Sequence, residues 1–311
     1  MPLVHADQHA MVFAPNDPFT AIFGNDGGVY YSTSGGLSIE PRNNGFITSQ
    51  FYTVGVAPTD TFPGDTDHFI GGLQDNGTQL FASVGSGINS SSEAFGGDGA
   101  ASFFDQDGTD QYYITNFVFN RIVRLVDLGT GQAVNINNED GSNGSFINQQ
   151  ALDSNLDILY SNYSSGTNIL IRRYSGIKDQ STLATTDISN IIEFTSRPTA
   201  LEVSPFTTTS STLLVGTVLG DILKVENADS SPTWINIETD NAIVGSISDV
   251  QFGANENEIF TTVHNYGVNN VWYTSDGGTT WLEKDGDLPD LPVKAILQNP
   301  LNPEEVIIGT E

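Results

Sequence analysis

The chain has 311 residues with 38 acidic against 10 basic side chains, a formal net charge of −28. Phosphate backbones and anionic lipid surfaces would repel it, so nucleic acid and membrane-surface partners are not expected. It contains no Cys, which excludes a disulfide framework, a thiolate nucleophile and a Cys-ligated zinc site.

Hydrophobic residues make up 38% and Gly numbers 32, and Ser, Thr, Asn and Asp are abundant. Many short strands and tight turns need that mixture, because Gly, Asn and Asp tolerate the backbone angles of turns. Long Leu/Ala/Glu/Lys stretches are missing, so few helices are expected, and no apolar run reaches membrane-spanning length. The fold class is all-β.

In chain order, Met1-Pro2-Leu3-Val4-His5 leads directly into a strand-like segment, so any export signal would lie upstream. A repeat then begins. Ala10-Met11-Val12-Phe13-Ala14-Pro15 is followed by Ala21-Ile22-Phe23-Gly24 and by Val29-Tyr30-Tyr31-Ser32. The same three strands recur at Ala200-Leu201-Glu202-Val203-Ser204-Pro205, Thr212-Leu213-Leu214-Val215-Gly216 and Asp221-Ile222-Leu223-Lys224-Val225. Copies of the first strand start near Ala10, Thr53, Ala101, Ala151, Ala200, Asp249 and Ala295. The steps are about 43 to 50 residues, the period of a four-stranded propeller blade. The seventh copy stops after two strands, at Val306-Ile307-Ile308-Gly309. The expectation is a single β-propeller region over residues 1–311, of about six and a half blades, either seven-bladed or part of a larger propeller. The Ser/Gly-rich stretch Ser83 to Ser92 reads as a long loop inside the second blade.

Ser275-Asp276-Gly277-Gly278-Thr279-Thr280-Trp281 follows strand-like Val271-Trp272-Tyr273 and has the Ser/Asp/Gly/Trp character of an Asp-box, with Ser and Asp adjacent. Asp would cap a tight turn and Trp would pack into the blade. Ser32-Thr33-Ser34-Gly35-Gly36 reads as a worn copy without the Asp or the Trp.

The first third carries a second set of motifs, in this order: His5-Ala6-Asp7-Gln8-His9-Ala10, Gly24-Asn25-Asp26-Gly27-Gly28-Val29-Tyr30, Gly71-Gly72-Leu73-Gln74-Asp75-Asn76-Gly77 and Gly97-Asp98-Gly99. Together they resemble the sortilin-like, BNR-repeat (Asp-box) β-propeller family of bacteria, often labelled glycosyl hydrolase. In that family the opening motif reads closer to H-x-D-H-H, so Gln8 is a departure. The resemblance covers about residues 5–100 and implies a multi-blade propeller, secreted or at the cell surface, within a longer polypeptide. It does not fix a function, which has to be argued from the site.

Blade topology places these motifs. With strands A to D in a blade, D–A and B–C connections lie on one face and A–B and C–D connections on the other. His5, Asp7 and His9 precede the first strand A, Asp26 and Asp75 lie in B–C turns, and Asp98 precedes the third blade, so all six share one face. Extended backbone over residues 5–9 would put His5, Asp7 and His9 on one side, able to ligate a transition metal; otherwise they fix the loop by hydrogen bonds. Asp75 and Asp98, with Asp26 third, are the candidate glycosidase carboxylates, at about 6.5–9.5 Å for inversion. Asp in such turns also serves backbone geometry alone.

Asp105, Asp107 and Asp110 alternate in a loop on the opposite face and resemble a calcium loop; a Ca²⁺ there would be structural, and no other cofactor is required. A sialidase-like site would need an arginine cluster, but Arg42, Arg121, Arg124, Arg172, Arg173 and Arg197 do not recur at matching blade positions. No G-x-S-x-G elbow is present. The leading expectation is a non-catalytic module binding a glycan or protein partner through the D–A/B–C face, with Phe51, Tyr52, Phe95 and Tyr266 as candidate stacking residues. A polysaccharide hydrolase and a structural spacer in a large adhesin are the alternatives.

Overall fold

A computed structural model describes residues 4–45, 49–58, 66–87, 89–240 and 242–311. It shows a β-propeller of six four-stranded antiparallel sheets and a two-stranded hairpin. In every sheet the strands neighbour one another in sequence order. The inner strands are Gln8–Ala14, Gly55–Val56, Gly99–Phe104, Gln150–Asp153, Pro198–Val203, Ile247–Phe252 and Val293–Gln298, which open blades 1 to 7. Blade 7 is the hairpin of Val293–Gln298 with Val306–Thr310. Among the described residues the one helical element is a 3-10 turn at Val118–Asn120, and no helix is long and apolar enough to cross a membrane.

The core lies between blades. In strand Leu213–Thr217 of blade 5, Leu213 and Val215 pack with Ile158, Tyr160 and Ile171 of blade 4. Leu214 between them points the other way, to Ile247, Val250 and Ile259 of blade 6. Strand period 2 sends alternate residues to opposite faces, and both faces are covered, so the strand reads as an unbroken apolar run. Full burial of such a side chain contributes about 1.5–3 kcal/mol. Similar clusters join blades 3 and 4, 2 and 3, and 6 and 7.

None of these five clusters contains a residue of blade 1. Met11, Val12 and Phe13 of its inner strand are exposed. Polar loop contacts therefore carry much of its attachment to blade 2.

The Asp276 turn lies between strands Val271–Thr274 and Leu282–Glu283, a C–D connection. Thr274, rather than the adjacent Ser275, supplies the hydroxyl of this turn. Its Oγ1 accepts the Gly278 N–H at 3.0 Å and donates to Asp276 Oδ1 at 2.8 Å. Asp276 Oδ1 in turn accepts the Thr280 N–H at 2.9 Å. The Ser32 turn repeats this pattern with hydroxyls alone. Ser32 Oγ accepts the Gly36 N–H at 3.0 Å, and Ser34 Oγ accepts the Ser38 N–H at 2.8 Å in place of the Asp carboxylate.

Candidate functional site

Three blades meet over the loops of the first hundred residues. A left-handed backbone at Asp7 (φ 54°) separates His5 from the strand that starts at Gln8. The segment 5–9 is therefore not one extended strand, and His5, Asp7 and His9 do not line one side of it. His5 instead lies over the B–C turn of blade 1, where a Cβ on Gly27 would fall 2.6 Å from the His5 Cβ and 2.7 Å from Cγ. Only a residue without a side chain lets the ring in. From there His5 Nε2 donates to the Asp75 carbonyl of blade 2 at 2.6 Å. Asn76 Nδ2 returns a bond to the Asp26 carbonyl at 3.1 Å.

These contacts bring the carboxylates together. Asp7, Asp26 and Asp75 each present an oxygen within 4.8 Å of the other two. His9 Nε2 pairs with Asp26 Oδ1, and that bond and charge raise the His9 pKa above its ordinary value. Asp98 Oδ1 accepts the Asp75 N–H at 3.1 Å. Partial burial, followed by the charges of Asp98 and Asp26, raises the Asp75 pKa. All six sequence-chosen residues thus converge on one face. The Asp7, Asp26 and Asp75 trio has the oxygen set to hold a cation or to accept several hydroxyl hydrogens.

In the Asp75–Asp98 pair one carboxylate is bound to the backbone of the other residue. The Asp98 carboxylate is pinned to the Asp75 amide, and its charge helps to raise the Asp75 pKa. Glycines make this contact possible. A Cβ on Gly72 would come within 2.1 Å of the Ala100 carbonyl oxygen, and one on Gly99 within 2.2 Å of the Gly77 carbonyl oxygen. Blades 2 and 3 touch through bare backbone there.

Gln74 and Tyr52 border the cluster, joined by a bond from the Tyr52 hydroxyl to Gln74 Oε1. Tyr52 and Phe51 are about two-fifths exposed and Tyr266 is more so, whereas Phe95 is half-buried. The sequence signal for Gln74 and Asn76 was their place inside the Asp75 turn motif. Asp105, Asp107 and Asp110 lie in the A–B loop of blade 3, on the opposite face. There Asp110 is held by Lys178 at 2.5 Å and does not join the other two as a free ligand.

A second feature escaped the sequence reading. The inner strands of blades 2 to 7 line a central cavity of about 540 Å³, whose wall includes Glu202, Asp249, Ser248, Lys294 and Tyr52. Burial, then the charge of Asp249, pushes Glu202 up to about 8. Burial pushes Asp249 up to about 6, against the Ile296 N–H that it accepts at 2.9 Å. The signal was a carboxylate inside an otherwise apolar strand, Ala200-Leu201-Glu202-Val203.

Folded-state pKa values raised above the unfolded ones mean that the folded chain binds more protons. Stability from these two groups is therefore full near pH 4 and is lost as pH rises towards about 8. We expect Glu202→Gln to be more stable than wild type at pH 8 by about 2 kcal/mol, after discounting for water in the channel, and nearly equal to it at pH 5. Urea denaturation at the two pH values measures this. An equal effect of the substitution at both would show that Glu202 does not titrate in this range.

No family model matches the chain, and no curated protein matches it. Among solved structures it is similar to YCF48 from Cyanidioschyzon merolae, with a TM-score of 0.56 at 16% identity, over 99% of this chain and 94% of that one. That protein is a β-propeller, and at this identity the likeness shows the fold alone: the chain is a β-propeller.

Proposed function

We propose that this chain is a binding module of an exported bacterial protein of the sortilin-like BNR kind, and that its ligand is a glycan held on the loop face of blades 1 to 3. The observation that carries this reading is the convergence of Asp7, Asp26 and Asp75 at a partly exposed surface, bordered by Gln74 and Tyr52. Carboxylates accept hydrogen bonds from vicinal hydroxyls, and exposed rings stack on the apolar faces of sugars. The Thr274–Trp281 turn supports the BNR likeness, because its hydrogen bonds are those an Asp-box motif would make.

A protein partner would use the same face. The hydrolase reading draws on one observation, the raised pKa of Asp75 beside other carboxylates. The close contact of Asp75 with Asp98 weighs against that pair as acid and base. A spacer role would leave the face without a ligand.

The test is a glycan array probed with wild type, Asp26→Asn, Asp75→Asn and Asp276→Asn. Binding by wild type and Asp276→Asn, with a loss of about tenfold or more in the other two, is the expected result; about 1.4 kcal/mol corresponds to tenfold. Equal binding by all four, or no binding, would overturn the assignment. Release of reducing ends from a bound polysaccharide would favour the hydrolase instead.

A further inference from the structure

On the opposite face, blades 3 and 4 meet around the loop Asp105–Asp110. The side chain of Asp105 is fully buried, at 0% exposure. Neither of its carboxylate oxygens has a hydrogen-bond partner. The Asp107 carboxylate, two residues on, is the charge that acts on it most strongly. Asp107 is itself held in place, since its Oδ1 accepts the Thr109 N–H at 2.7 Å and the Thr109 hydroxyl at 2.8 Å.

Two further carboxylates stand nearby, and both are already matched. Lys178 of blade 4 reaches Asp110 at 2.5 Å and Asp157 at 2.6 Å, and Asp157 also accepts the Tyr112 hydroxyl at 2.9 Å. One ammonium thus serves the outer pair, and the inner pair, Asp105 with Asp107, has no cation among the described residues. The backbone crosses between the blades here as well, through the Gln106 N–H to Ser154 Oγ at 3.0 Å.

We propose that a divalent cation of the Ca²⁺ class binds between Asp105 and Asp107 and stiffens the A–B loop of blade 3 where its Gln106 amide bonds to Ser154 of blade 4. Two carboxylates in a loop with neither His nor Cys form a hard ligand set. Mg²⁺ demands stricter octahedral geometry than an irregular loop provides. With only two charged ligands the affinity should be that of extracellular modules, on the order of 10⁻⁴–10⁻³ M. Lys178, Asp110 and Asp157 then act around the ion as a fixed outer ring. This site is separate from the glycan-binding face, and neither reading depends on the other.

The experiment is thermal unfolding of the whole chain, stripped with a chelator and then titrated with CaCl₂ to about 10 mM, well above the expected dissociation constant. Ionic strength is matched with NaCl. The Asp26→Asn/Asp75→Asn double variant serves as a background lacking the other carboxylate cluster. The expected result is a saturable rise in Tm of several degrees in wild type and in the double variant, a smaller one with Mg²⁺, and none in Asp105→Asn or Asp107→Asn. Three results would overturn the proposal: no rise in wild type, a rise retained in both Asp105→Asn and Asp107→Asn, or a rise lost only in the double variant. If Asp105 merely shares a proton with Asp107, the first of these appears and Asp105→Asn leaves Tm unchanged.

Discussion

Gly72→Ala and Gly99→Ala should each cost about 3 kcal/mol or more of stability, at the upper end of what overpacking produces, and should abolish ligand binding at the loop face. The added methyl of Gly72→Ala would sit 2.1 Å from the Ala100 oxygen and 2.7 Å from its nitrogen; that of Gly99→Ala would sit 2.2 Å from the Gly77 oxygen and 2.8 Å from Gly72 Cα. All of these are backbone atoms, so no rotamer change relieves the clash. Blades 2 and 3 must move apart, and the Asp98 carboxylate leaves the Asp75 amide that it caps. Chemical denaturation reads the stability. Gly36→Ala is the control, because nothing lies within 4 Å of its Cβ position, although its φ of +87° carries its own strain. A loss at Gly72 or Gly99 no larger than at Gly36 would mean that the blades do not depend on this contact.

Trp281→Ala should cost about 3–4 kcal/mol. Trp281 packs against the cluster shared by blades 5 and 6, and its indole N–H donates to the Ile237 carbonyl at 3.0 Å. It thus ties the C–D turn of blade 6 to the last strand region of blade 5. Trp281→Phe retains most of the packing and loses the hydrogen bond, so it should cost about 1–2 kcal/mol. Urea midpoints for the two variants separate the contributions. A loss below about 1 kcal/mol for Trp281→Ala would show the ring to be surface decoration.

The fold was legible because a propeller repeats its grammar. Short apolar strands broken by Gly, Asn and Asp turns, returning every few tens of residues, leave little else that an antiparallel chain can build. The grouping of the candidate residues was legible one level up. Chain order and blade topology alone put His5, Asp7, His9, Asp26, Asp75 and Asp98 on one face, and the structure assembles them there. The local geometry was not legible. Asp7 takes a left-handed backbone that breaks the extended run before the first strand, an option open to Asp but not signalled by its neighbours. Which hydroxyl caps the Asp276 turn was not legible either, because Thr274 and Ser275 both carry one, and only the bonds to Gly278 and Asp276 show that it is Thr274. Glu202 was hidden for a different reason. A strand alternates its sides, but which side faces the central channel is set by neighbouring blades, and no local pattern records that.

Hydrogen exchange of the chain, with and without the best glycan from the array, tests the central claim most directly. Slowed exchange confined to residues 5–9, 26–29, 74–77 and 97–99, absent in Asp75→Asn, is what the assembled loop face predicts. Protection centred on the inner strands around Glu202 and Asp249, on the Asp276 turn, or nowhere would contradict it and move the binding site away from the converging aspartates.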